Sequence, residues 1–127
     1  MILVDSAVWI DHLRSPIPFL DRLLDERDVL VHPLILGEIG MGSFRAREEI
    51  LSSLGALPRA LIALDEEVQD FVTRHHLFGL GIGYLDAHIL VATRLTEEAL
   101  LWTRDRRLND IAERFGLAMQ NAPVRIN

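Results

Sequence analysis

Residues 2–13 read ILVDSAVWIDHL and combine a short apolar run with a helical pattern. The run from Ile2 to Val4 is typical of a buried strand, and it ends on the carboxylate of Asp5. The apolar residues after Ser6 recur with helical spacing, which predicts a helix with the Ser6 hydroxyl as its N-cap. A strand followed at once by a helix is the unit from which parallel α/β folds are built.

The same alternation continues along the chain. Further strands are predicted at 29–31, 99–103 and 117–119, and residues 61–64 form either a short strand or an apolar connection. Helices are predicted over 18–24, 33–43, 45–54, 65–75, 84–96 and 105–115. Short apolar strands that alternate with helices indicate an α/β fold whose parallel sheet is covered on both faces.

Length and composition limit the class of protein. The chain has 127 residues, which suits one hydrophobic core, so a single domain over residues 1–127 is expected. It has no cysteine, which excludes a disulfide framework, a Cys-based zinc site and a thiol nucleophile. The N-terminus does not resemble a secretory signal, and no apolar stretch reaches the roughly 20 residues of a membrane helix. We therefore expect a cytoplasmic protein with no membrane partner.

The charge balance is acidic, with 19 Asp and Glu against 13 basic residues and a net charge of -6. This balance argues against indiscriminate binding to nucleic-acid backbone. Every basic residue is arginine, whose planar guanidinium suits bidentate pairing with phosphate, although a GC-rich genome produces the same bias. If the acids gather in one pocket, a basic rim for RNA can form from Arg45, Arg47, Arg104, Arg106 and Arg107.

Three acidic residues stand at strand ends or in the first turn of the following helix. Asp5 closes the first predicted strand, Asp105 follows the strand at 99–103, and Asp86 opens the helix after a glycine-rich turn at 79–83. Glu38 joins them if its helix turns toward the same edge of the sheet. Ligands of open α/β sheets bind beyond the carboxyl ends of the strands, so four carboxylates are expected to converge there.

Such a cluster favours a divalent cation, because carboxylates that lie close together raise one another's pKa. Mg²⁺ and Mn²⁺ prefer oxygen ligands, and two such ions about 3.5 to 4 Å apart can flank a phosphodiester. The predicted chemistry is metal-assisted phosphodiester hydrolysis. Ser6 and Thr103 are candidates for orienting a carboxylate, with capping alone as the alternative for Ser6, and Asn109 is a candidate outer ligand one turn beyond Asp105.

Four segments resemble, in order, the acidic motifs of PIN-domain nucleases, in particular those of the VapC toxins of bacterial toxin-antitoxin pairs. They are Ile2-Leu3-Val4-Asp5-Ser6, Gly37-Glu38-Ile39, Tyr84-Leu85-Asp86-Ala87-His88 and the segment LWTRDRRL at 101–108. The resemblance implies a three-layer α/β/α sandwich with a central parallel sheet. It also implies a Mg²⁺- or Mn²⁺-dependent endoribonuclease, the toxin of a type II pair, with RNA as substrate.

By the same resemblance, Asp5, Glu38, Asp86 and Asp105 are the catalytic acids, and Thr103 supports them. Asp5, Asp86 and Asp105 are the expected metal ligands, the first two by direct contact, and the number of ions stays open. The resemblance further implies a VapB-like antitoxin that inserts a segment into the active groove, and a homodimer.

Two other classes of function remain to be distinguished. A catalytically silent PIN module would act only through protein contacts, but loss of at least one acid is expected in such a module, and none is missing. A receiver-type phosphoacceptor also has an acidic pocket at its strand ends, yet it relies on a lysine that this chain lacks.

Overall fold

Three short parallel strands form the centre of the fold. A computed structural model describes residues 1–120, so the predicted domain end at residue 127 lies outside the described residues. The strands are β1 (Ile2–Val4), β2 (Val29–Leu30) and β3 (Leu100–Trp102), in the order β2-β1-β3. Because β1 is the central strand and all pairs are parallel, the carboxyl ends of β1 and β3 meet at one edge.

Single parallel bridges extend the sheet on both sides. Val31 pairs with Arg59, and Leu101 pairs with Ala118, so the strand predicted at 117–119 is reduced to one bridge. The segment 61–64 forms no strand and is the connection that was the alternative. At the start of this segment the backbone N–H of Leu61 donates to the Thr96 hydroxyl at 2.8 Å and not to a neighbouring strand.

Most of the helices form two groups, and within each group every helix contacts the next one. One group contains α1 (Ser6–Arg14), α3 (Pro33–Gly40) and α4 (Arg47–Gly55), and the other contains α5 (Asp65–Arg74), α6 (Tyr84–Leu95) and α7 (Arg106–Arg114). A further helix, α2 (Pro18–Asp25), precedes β2. Since α6 and α7 also contact β3, the arrangement is the predicted α/β sandwich around a parallel sheet.

The core lies on both faces of the central strand. Ile2, Leu3 and Val4 are all buried although they alternate between the two faces, so both faces are covered. Trp9 of α1 and Ile89 of α6 belong to the same buried cluster. Between residues 1 and 120, no helix has the length and apolar character needed to cross a bilayer.

Candidate functional site

Asp5 lies at the carboxyl end of β1 and is held from two sides. Its backbone N–H donates to the carbonyl of Trp102 at 2.9 Å, so sheet pairing continues to this residue. Its Oδ1 accepts from the N–H of Ser6 at 2.8 Å, which makes Asp5 the N-cap of α1. The prediction that Ser6 caps this helix is therefore wrong, because the carboxylate one residue earlier already occupies that position. Asp5 is only 6% exposed, and its orientation is fixed.

Thr103 connects Asp5 to Asp105. Its hydroxyl donates to Oδ2 of Asp5 at 2.7 Å and accepts from the backbone N–H of Asp105 at 3.1 Å. Asp105 is the N-cap of α7, where its Oδ1 accepts from the N–H of Leu108 at 3.1 Å. One buried hydroxyl thus places two acidic residues that follow neighbouring strands.

Ser6 connects the same region to Glu38. With its helix capped by Asp5, the Ser6 hydroxyl is free to donate to Oε1 of Glu38 at 3.1 Å. Glu38 stands in the last turns of α3, a helix that begins at Pro33 with His32 as its N-cap. The helix therefore does turn Glu38 toward the edge of the sheet where Asp5 lies.

Asp86 reaches the site from the N-terminus of α6. Its Oδ2 accepts from the backbone N–H of Gly83 at 3.1 Å, which fixes the carboxylate in the first turn of the helix. The preceding turn has left-handed backbone at Gly79 (φ 73°) and at Gly81 (φ 86°). Glycine adopts this conformation without steric cost, so the turn directs the chain sharply into α6.

The pKa directions show that the four carboxylates, called here the carboxylate cluster, act on one another. Burial raises the pKa of Glu38, the hydrogen bond from Ser6 opposes this, and the charges of Asp5 and Asp86 raise it further. Burial likewise raises the pKa of Asp86, against the hydrogen bond from Gly83 and with the charges of Asp5 and Asp105. Asp5, Asp86 and Asp105 therefore lie near enough for their charges to contribute to these pKa directions.

Three acids of the cluster are held by one oxygen only. In the part of the chain that the structure describes, Oε2 of Glu38, Oδ1 of Asp86 and Oδ2 of Asp105 accept no hydrogen bond from the protein. Within residues 1–120, no three or more His, Cys, Asp or Glu side chains form a group that could hold a metal ion as they stand. The free carboxylate oxygens are nonetheless of the kind that Mg²⁺ and Mn²⁺ prefer, and Mg²⁺ usually binds through only one or two carboxylates and keeps several waters.

Two of the five predicted rim arginines are committed to other contacts. Arg104 pairs with Asp11 of α1 at 3.2 Å, and only 14% of its side chain is exposed. This ion pair ties α1 to the turn after β3, and the place of Arg104 in an RNA-binding rim stays a prediction. Arg47 is exposed, and its Nε donates to the carbonyl of Gly40 at 2.9 Å.

Arg45, Arg106 and Arg107 are exposed, as a basic rim requires. The side-chain amide of Asn109 donates to Oε1 of Glu113 at 3.4 Å, one turn further along α7. A supporting role of Asn109 at the site stays a prediction.

Sequence reasoning missed a hydrogen-bonded group beside the site. Oδ1 of Asp65 accepts from the Tyr84 hydroxyl at 2.7 Å and lies 2.8 Å from Nε2 of His88. These bonds lower the pKa of Asp65. Tyr84 and His88 stand four residues apart, so their shared helix face was a signal that could have joined them, but nothing local pointed to Asp65.

Comparison with known proteins assigns the family. The PIN domain model matches residues 2–114, and the chain belongs to the PIN-domain family. The chain is 39% identical over 119 residues to a protein named Ribonuclease VapC32 from Mycobacterium tuberculosis strain CDC 1551 / Oshkosh, covering 94% of this chain and 96% of that protein. Ribonuclease VapC32 of strain ATCC 25618 / H37Rv gives the same values. No solved structure gives a significant match.

Proposed function

We propose that this chain is an endoribonuclease that hydrolyses RNA phosphodiesters with Mg²⁺ or Mn²⁺. The observation that carries the proposal is the convergence of Asp5, Glu38, Asp86 and Asp105 from four separate parts of the chain. Membership of the PIN-domain family and the similarity to Ribonuclease VapC32 support the same proposal.

Asp5, Asp86 and Asp105 are the proposed metal ligands. A divalent cation bound there supplies the Lewis acidity for the reaction, by activating water and stabilising charge on the departing oxygen. Thr103 keeps Oδ2 of Asp5 in place, and Gly83 keeps Asp86 in place. The raised pKa of Glu38 and its unbonded Oε2 suit it to take a proton from the attacking water.

The proposed biological role is that of the toxin in a type II toxin-antitoxin pair, controlled by a VapB-like antitoxin. It rests on the similarity to VapC32 across nearly the whole length of both chains. We also propose that the protein acts as a homodimer. The alternative is a PIN module that acts only through protein contacts, and the absence of a preformed metal-binding group within residues 1–120 makes that alternative worth a direct test.

The test is cleavage of a structured RNA by the purified protein in Mg²⁺, in Mn²⁺ and in EDTA. We expect cleavage only with metal, and none by Asp86→Asn. Asp110→Asn is the matched control, because Asp110 is exposed on α7 and has no contact with the cluster. Cleavage that persists in EDTA contradicts the metal-dependent reaction. No cleavage and no metal binding by the folded protein favours the silent module.

A further inference from the structure

One arginine near the site packs against a glycine and has no charged partner within residues 1–120. The Arg107 side chain lies directly across the backbone of Gly81. A Cβ placed on Gly81 would stand 2.8 Å from Cδ and 3.0 Å from Cζ of Arg107, with Nη1 nearer still. A Cβ at this position would displace the Arg107 side chain, so the two residues form a contact, called here the Gly81–Arg107 pair.

The pair lies between two parts of the carboxylate cluster. Gly81 belongs to the turn that ends at Gly83, whose N–H holds Asp86. Arg107 is the second residue of α7, two residues after the capping Asp105. The contact therefore links the turn that precedes Asp86 to the helix that follows Asp105, and both acids are proposed metal ligands.

The other rim arginines differ from Arg107 in one respect or another. Arg104 is paired with Asp11, and Arg47 donates to a backbone carbonyl. Arg45 and Arg106 are exposed, and no contact described over residues 1–120 fixes their guanidinium groups. Arg107 alone of the five packs its guanidinium against the turn before Asp86 and makes no ion pair or hydrogen bond in the described part of the chain.

We propose that Arg107, held across Gly81, binds a phosphate of the RNA strand beside the carboxylate cluster. The proposal rests on the proposed ribonuclease function and names the group that positions its substrate. A phosphate approaching this site meets several acidic side chains on a protein whose net charge is -6, and a cation at the rim offsets that repulsion.

Guanidinium is the side-chain group best suited to that contact. Its planar donors match two oxygens of a phosphate, and such charge-assisted bonds are shorter and stronger than neutral ones. The contact with Gly81 places the Arg107 guanidinium against the turn whose Gly83 holds Asp86, and no such contact is described for Arg45 or Arg106 over residues 1–120.

The first experiment compares Arg107→Gln with Arg114→Gln, which removes the same charge from the far end of α7. Binding of a short unstructured RNA is measured by fluorescence anisotropy in the cleavage-inactive Asp86→Asn background. For Arg107→Gln we expect the Kd to rise about 10- to 100-fold, as for loss of a hydrogen bond between charged groups. The slope of log Kd against log salt should fall by about 0.7, the value for one phosphate contact on a single strand.

The second experiment tests the role of Gly81. Gly81→Ala and Gly79→Ala both place alanine on left-handed backbone, but a Cβ at Gly79 meets nothing within 4 Å. We expect only Gly81→Ala to weaken RNA binding beyond the shared effect of strain. In the Arg107→Gln background, Gly81→Ala should raise the Kd for RNA little further, because both substitutions act on the same contact. Circular dichroism establishes that each variant is folded.

Equal affinity and equal salt slope in Arg107→Gln and Arg114→Gln would overturn the proposal, even if Gly81→Ala fails to fold. If the wild type cleaves RNA under that result, the ribonuclease function stands and only the role of Arg107 falls. If Arg107→Gln weakens binding but no RNA is cleaved by the wild type, the phosphate contact stands and the catalytic proposal falls.

Discussion

The Thr103 hydroxyl donates a 2.7 Å hydrogen bond to Oδ2 of Asp5, from a position 98 residues further along the chain. The same hydroxyl accepts from the backbone N–H of Asp105. Because Thr103 is 9% exposed, water has little access to replace it. A single side chain thus sets the relative placement of two proposed metal ligands.

Replacement of Thr103 by Val should impair metal binding while it keeps the shape of the side chain. Loss of a residue that orients a metal ligand typically costs about 10- to 100-fold in metal affinity or activity. The measurement is Mn²⁺ affinity by calorimetry, together with kcat for RNA cleavage. Thr103→Ser retains the hydroxyl and should recover most of both. A Val variant with unchanged metal affinity would show that Thr103 only packs against the strand.

Replacement of Glu38 by Gln should make the metal-free protein more stable at neutral pH. The pKa of Glu38 in the folded protein is raised, chiefly by burial and also by the charges of Asp5 and Asp86. Relative to the unfolded chain, the fold therefore favours the neutral form of Glu38. This contribution to stability is complete below the ordinary glutamate pKa of 4.5 and is lost as pH rises through the folded pKa.

The expected result in EDTA is a Tm a few degrees above that of the wild type at pH 7, and no difference at pH values below 4.5. The size is modest because the burial that raises the pKa of Glu38 is only partial and its side chain keeps contact with solvent. Glu97→Gln removes an equivalent charge from an exposed position outside the cluster and controls for net charge. A Glu38→Gln protein that is less stable than the wild type at pH 7 would contradict the electrostatic account.

Arg104→Met should reduce stability without changing how the protein responds to salt when it binds RNA. Arg104 is mostly buried and pairs with Asp11 at 3.2 Å, so its loss is expected to cost about 1 to 3 kcal/mol in the free energy of unfolding. Urea denaturation measures this cost, and a double-mutant cycle with Asp11→Asn measures the coupling. An unchanged free energy of unfolding with a reduced salt slope would place Arg104 in the RNA-binding rim.

The alternation of apolar runs and helical patterns was enough to predict the parallel sheet and most of its helices. It worked because both faces of β1 are buried, so Ile2, Leu3 and Val4 are all apolar. The placement of Asp5, Asp86 and Asp105 at strand ends or helix starts followed from the same pattern.

The pattern of apolar and polar residues did not predict which side chains pair across long distances in the sequence. Serine is a preferred N-cap residue, but Asp5 takes that position. The Ser6 hydroxyl then bonds to Glu38, 32 residues away. Arg104 follows a strand as a rim residue would, yet it turns to Asp11. The Ser6 hydroxyl could bond to its own helix or to a distant carboxylate, and the Arg104 guanidinium could face solvent or an acidic side chain. Only tertiary packing decides which contact each of them makes.

The role of Gly81 was also partly hidden. Three alternating glycines from 79 to 83 predict a turn that delivers Asp86, and the left-handed backbone at Gly79 and Gly81 agrees with it. The sequence does not distinguish the two. The close approach of Arg107 to Gly81 alone depends on where α7 lies against the turn.

The central claim, that the four carboxylates share a divalent cation, is tested most directly by titrating isotope-labelled protein with Mn²⁺ and following paramagnetic broadening of its amide signals. Signals from Asp5, Glu38, Asp86 and Asp105 should broaden first, and Asp86→Asn should weaken the effect. The acidic first turn of α5, from Asp65 to Glu67, is an internal control and should broaden only at higher concentration. Broadening that begins at α5, or that is equal at both places, would show that the carboxylate cluster is not a metal site.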